Sequence, residues 1–194
     1  MEIGATKAVQ DRLKTTKIEE SKGASLVFCW DTHLTKIKGR NVLFIVNASN
    51  RYTIAMTDIE PRNWNYYAMY IRSVIHGVMQ EMGYFEEQIG QYFKMSVDTT
   101  ITKTHGRKSV GGINRMVMDA QYFGKKLEKE AKYQWELSEY LNRDICQPEG
   151  FDAYGYPSEL FKLDMERLGI ATKRKPAKVI DIAQYIENNR GTND

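Results

Sequence analysis

Two runs of β-branched and aromatic residues, Asn41-Val42-Leu43-Phe44-Ile45-Val46 and Tyr52-Thr53-Ile54-Ala55-Met56-Thr57, are separated only by Asn47-Ala48-Ser49-Asn50-Arg51. That loop has the turn chemistry of a hairpin, so the two runs are expected to pair antiparallel. Nothing else in the chain constrains the fold as tightly, because a hairpin this apolar must join a larger sheet and be covered. The cover is legible downstream. Pro61 opens a helix in which Trp64, Tyr67, Ile71, Val74, Ile75, Val78 and Met82 recur at spacings of three and four, and Gly83 ends it. Phe85, Ile89, Tyr92 and Phe93 predict a second, shorter helix.

From Met95 the period changes to two, with Met95, Val97, Thr99 and Ile101 on one face, which predicts a half-buried strand from Met95 to Lys103. A basic turn, Lys103 to Lys108, follows. From Val110 helical spacing returns through Ile113, Val117, Ala120, Phe123 and Leu127. Upstream, Ile3 to Leu13 reads as a short strand or turn and a short helix with Thr6 as a possible N-cap, and Leu26 to Trp30 as a central strand. The expected class is α+β, an antiparallel sheet packed by helices. Residues 1–130 form the predicted core domain. Residues 131–194 read as a helical C-terminal extension, on the core or on a second subunit. Its helices are carried by Tyr133 to Leu141, by Pro157 to Leu168, and by Val179, Ile182, Ala183 and Ile186.

At 194 residues with a net charge of +3, the chain suits a globular protein without demanding an anionic partner. The charge is uneven: His33 to Arg51 holds four Lys or Arg and no acid, and Ile101 to Lys129 holds seven against two. These stretches can merge into one positive face. Cys29 and Cys146 lack metal or disulfide spacing, and no secretory or membrane-spanning run appears. The expectation is a soluble, cytoplasmic protein with no cofactor and no metal.

The strand, basic loop and helix start at residues 95–114 suit an anion, since first-turn N–H groups lack partners. The candidate nucleic-acid-binding residues are Lys103, His105, Arg107, Lys108, Ser109, Asn114 and Arg115, with Lys36, Lys38 and Arg40 from the other basic stretch. The structural alternative has Ser109 capping the helix while Gly111 and Gly112 let it approach the sheet closely. His105, beside Arg107 and Lys108, is expected to be mostly neutral. Tyr66, Tyr70, Tyr122, Tyr133 and Tyr140 are candidates for stacking on bases or anchoring a protein partner. No nucleophile elbow, Walker loop or metal-ligand spacing is present, so no catalytic residues are assigned and a non-enzymatic role is expected.

Trp30-Asp31-Thr32-His33, the run Arg40-Asn41-Val42-Leu43-Phe44-Ile45-Val46-Asn47, and Thr102-Lys103-Thr104 with Arg107, Ser109, Val110 and Gly112 together resemble a family of uncharacterised bacterial and phage proteins. Its pattern is a W-x-x-N/H segment, a basic residue before an apolar strand ending in Asn, and a late T-K-T-x-x-R-S-V-L-G-S-M-N signature. The resemblance covers roughly the first two thirds of the chain and stops near Glu130. It implies an α+β fold and a bacterial or phage source, and it brings no reaction, cofactor or catalytic residue. The expected role is a non-enzymatic accessory protein binding RNA, DNA or a nucleoprotein complex through the basic face, for example as an inhibitor of host defence of the anti-CRISPR kind. The alternatives are a protein–protein module, a homodimer through the C-terminal helices, and an enzyme with an unrecognised site.

Overall fold

A computed structural model describes residues 1–14 and 18–170. The hairpin forms as its residues dictate, with β3 (Arg40–Asn47) antiparallel to β4 (Thr53–Thr57). Asn47 builds the turn: its Oδ1 accepts the N–H groups of Ser49 at 3.0 Å and Asn50 at 3.3 Å, an Asx arrangement. On the other side of β3 lies β2 (Cys29–Ile37), also antiparallel. Next comes β1 (Glu2–Ala5), parallel to β2, and then β5 (Thr100–Thr102), parallel to β1. The order is β4-β3-β2-β1-β5. The class is α+β, as the sequence indicates, but the sheet is mixed rather than antiparallel.

The helices are α1 (Lys7–Leu13), α2 (Pro61–Asn65), α3 (Tyr67–Glu81), α4 (Glu86–Met95), α5 (Gly106–Gln121), α6 (Trp135–Asn142) and α7 (Pro157–Arg167). Alternation along β3 feeds two cores. Leu43 and Ile45 pack with Ile71, Ile75, Ile89 and Phe161 of α3, α4 and α7. Val42, Phe44 and Val46 pack with Ile113, Met116, Ala120 and Leu141 of α5 and α6. Each fully buried aliphatic side chain contributes about 1.5–3 kcal/mol.

Three local expectations are corrected. The strand foreseen from Met95 begins only at Thr100, because Ile89, Tyr92 and Phe93 carry α4 through Met95, and the following turn includes Val97 at φ 55°. Helix α5 starts before Ser109, whose side chain turns to Asp31 instead of capping. The close approach foreseen at Gly112 is not to the sheet: a Cβ there would meet the flexible Arg51 side chain at 3.2 Å.

Residues 131–170 pack on this chain's own sheet. The outer edge of β4 is saturated by them: Thr57 N donates to Lys132 O at 2.7 Å, and Gln134 N donates to Ala55 O at 2.9 Å. Ala55 N donates to Ser138 Oγ at 3.0 Å, and the Asn142 amide takes both backbone groups of Thr53. An edge strand is thereby closed to further pairing. The helix expected after Pro176 lies outside the described residues. Among the described residues, no helix is long and apolar enough to cross a membrane.

Candidate functional site

Parallel pairing sets Glu2 beside Cys29 and Gly4 beside Asp31, on the sheet face that carries α5. A Cβ at Gly4 would lie 1.9 Å from Asp31 Oδ1, so glycine is what leaves room for that carboxylate. Asp31 then meets the first turn of α5. It accepts the His105 backbone N–H at 3.2 Å, the His105 Nδ1–H at 2.7 Å and the Ser109 hydroxyl. A charged carboxylate at a helix N-terminus is favoured by the helix dipole. The other imidazole nitrogen, Nε2, reaches Glu2 Oε2 at 3.0 Å, and Glu2 Oε1 accepts the Lys22 N–H at 2.8 Å.

All four side chains are buried, and Asp31 is fully so. Burial, the largest single influence, would lower the His105 pKa, but hydrogen bonding and charge from Asp31 and Cys29 together outweigh it and carry it up to about 10. The Glu2 carboxyl, which burial alone would raise, is held below its usual range by hydrogen bonds from Ser21, the Lys22 N–H and His105. The neutral, loop-exposed histidine expected from neighbouring cations is therefore corrected: two carboxylates hold an imidazolium. His105 and Ser109 face inward and offer nothing to an external phosphate.

The remaining basic candidates are separated by the fold. Gln121, at the end of α5, donates to Lys36 O at 3.0 Å, whereas the start of the same helix sits on Asp31. Lys36, Lys38 and Arg40 thus lie about 24 Å of helix away from Lys103, Arg107 and Lys108; they adjoin only the far end of the second basic stretch, at residues 123–128. Several are also committed. Lys38 donates to Phe123 O and to Lys125 O at 2.8 Å, and Arg40 holds Glu128 O at 2.7 Å while pairing with Asp58. Lys103 pairs with Glu20, Lys108 donates to Pro148 O at 3.2 Å, and Arg115 pairs with Asp119 at 3.3 Å. Arg107 and Asn114 are exposed, with no side-chain partner among the described residues.

A different corner interleaves cations with aromatics. The end of α1 packs on α2, placing the Arg12 guanidinium 5.4 Å from the Trp64 ring centroid. Trp64 stacks on Tyr67 at 5.3 Å and borders two open grooves. One, of about 420 Å³, runs past Tyr66, Met69 and Ile101; the other, of about 470 Å³, runs past Arg12 and Arg40. Tyr66 and Met69 are 69% and 71% exposed, whereas Trp64 is half-buried and Tyr67 is buried beneath it. Arg12 and Lys14 are exposed and have no ion-pair partner among the described residues. Of the watched tyrosines, Tyr122 is exposed and Tyr140 partly so, while Tyr70 and Tyr133 are half-buried with hydroxyls that have no partner among the described residues.

The sequence reading missed Glu2, Asp31, Arg12 and Trp64. A signal did exist for the first two, since an acid within a short buried strand needs a cationic partner. Nothing local links Arg12 to Trp64, because the packing of α1 on α2 brings them together.

Fold and site together define an α+β protein with a mixed five-stranded sheet between helical layers, clamped by a buried carboxylate–imidazolium–carboxylate cluster. The sequence profile of DUF6933, a domain of unknown function, matches residues 2–160. The chain belongs to that family, in keeping with the uncharacterised family it resembles. The match runs past Glu130 and takes in α6, so the family extends beyond the two thirds that the resemblance covered. No curated protein and no solved structure matches the chain.

Proposed function

We propose that this protein is a non-catalytic binding protein for single-stranded nucleic acid, free or held in a nucleoprotein complex. The observation that carries the reading is the corner at Trp64, where Arg12 lies over the indole, Lys14 lines a groove with both, and exposed Tyr66 lines the neighbouring groove on the other side of Trp64. Bases stack on such rings whatever their sequence, and the cations follow the phosphates. The surface at the start of α5 is a weaker site, because Glu2, Asp31 and Glu20 offset its positive charge. Encoded by a bacterium or phage and acting in the host cytoplasm, such a protein suits an inhibitor of host defence of the anti-CRISPR kind, the effector's guide or displaced strand being its target.

Fluorescence anisotropy with labelled single-stranded and duplex oligonucleotides over a salt series tests this. Single strands bind more tightly, and the log–log salt slope is about −0.7 per phosphate contacted. Equal affinity for duplex, or no binding to either, overturns it.

A second reading is favoured by one observation. Met118 of α5 and Tyr122, which caps that helix one turn later, are 59% and 80% exposed, and Tyr140 of α6 packs on the adjoining Phe123. That patch suits a second copy of the chain, and sedimentation equilibrium of the parent against Tyr122→Glu decides it.

A further inference from the structure

The buried cluster has one member the hydrogen-bond network leaves almost idle. Cys29 is fully buried beside Glu2, and its thiol has only long contacts, 3.5 Å to Ser25 O and 3.7 Å to Ala24 O. Donor atoms of Glu2, Cys29 and His105 all lie within 4.8 Å of one another. They come from β1, β2 and the turn before α5, three segments that the fold brings to one point. Carboxylate oxygen, thiolate sulfur and imidazole nitrogen form a mixed donor set suited to a borderline-soft divalent ion of the zinc type.

We propose that Glu2, Cys29 and the Nε2 atom of His105 form a structural metal site for a zinc-class divalent cation, with Asp31 orienting the histidine. The strongest support is the partner of the other ring nitrogen. A metal-bound histidine almost always donates its remaining N–H to a carboxylate or carbonyl, which fixes ring and tautomer. Asp31 does so for Nδ1 at 2.7 Å, and is itself held by the His105 N–H and the Ser109 hydroxyl. Binding displaces the thiol proton and any proton on Nε2, and these pass to solvent. The three donors leave the fourth tetrahedral position to a water molecule, and the site's role is to tie β1 and β2 to the start of α5.

The full chain, stripped with a chelator and dialysed, is titrated with cobalt(II) and then zinc(II). Saturation is expected at about one cobalt per chain, with tetrahedral ligand-field absorption and a thiolate-to-cobalt charge-transfer band, both removed by zinc. Calorimetry in two buffers is expected to read a release of about two protons per zinc near neutral pH. Cys29→Ser, verified as folded by circular dichroism, loses the charge-transfer band, whereas Cys146→Ser keeps it. Absence of saturable absorption in the folded parent, or no proton release, overturns the proposal. So does a charge-transfer band that survives Cys29→Ser. If Cys29→Ser does not fold, the parent's absorption and proton count decide alone.

Discussion

At the scale of single residues, His105 carries more of the fold's stability than any of its neighbours in the basic loop. Removing one partner from a buried charge cluster strands the others, so His105→Ala should cost about 3–5 kcal/mol in urea denaturation. Lys103→Ala, at an exposed ion pair, should cost under about 1 kcal/mol. The metal-free protein should also show a characteristic pH dependence. The groups facing the His105 ring are Glu2 of β1, Asp31 and Cys29 of β2, and Ser109 of α5. The folded pKa of His105 is raised to about 10 from 6.5, so its contribution is complete below 6.5 and is lost as pH rises through 10. Across that window stability should fall by at most about 1.4 kcal/mol per pH unit. Glu2 acts in the opposite sense: its pKa is lowered from 4.5, so its contribution is present above 4.5 and lost on further acidification. A series of urea melts with chelator present checks both limbs, and His105→Gln should abolish the alkaline one. Gly4→Ala drives a methyl group into Asp31 and should destabilise by about 1–3 kcal/mol or more. An unchanged melting temperature for that variant would remove the cluster's steric basis.

At the scale of elements, what was legible followed from local periodicity. The hairpin Asn41–Thr57 could be read because alternation and turn residues lie within one short window. The apolar stripe from Pro61 to Gly83 could be read as helical, but not its break at Tyr66, which divides the single expected helix into α2 and α3. The parallel pairing of β1 with β2 and β5 could not be read. Strands of four and three residues carry too little pattern to show a partner across the chain. The same distance hid the cluster, since His105 is 74 positions from Asp31 and 103 from Glu2. The basic character of residues 101–129 is legible in composition, but the rise of α5 separates Lys103, Arg107 and Lys108 from the charges of β2 and β3, which meet only the segment after the helix. Helix α6 has a role that amphipathicity does not reveal, as its polar side chains cap the β4 edge. Asn142→Ala leaves both backbone groups of Thr53 without their partner and should cost about 1–3 kcal/mol by urea denaturation. A loss within error would mean that water replaces the amide.

At the scale of the whole molecule, the sheet separates a rigid clamp from a receptive surface. The α5 face is tied down by buried charge and by the lysine and arginine that hold residues 123–128. The corner of α1 and α2 leaves Tyr66 and cations exposed beside open grooves. Paired variants show whether ligand binds at that corner. One variant carries Arg12→Ala and Trp64→Ala; the other carries Ala at Lys103, Arg107, Lys108 and Arg115. Both are checked for folding by circular dichroism, then titrated with a labelled single-stranded oligonucleotide. The first should lose about 1–3 kcal/mol of binding free energy through the missing ring, with a further loss from Arg12 that shrinks as salt rises. The second should bind within a few fold of the parent. A parent that binds no single strand, or a corner variant that binds as tightly as the parent while the quadruple variant fails, would contradict the account.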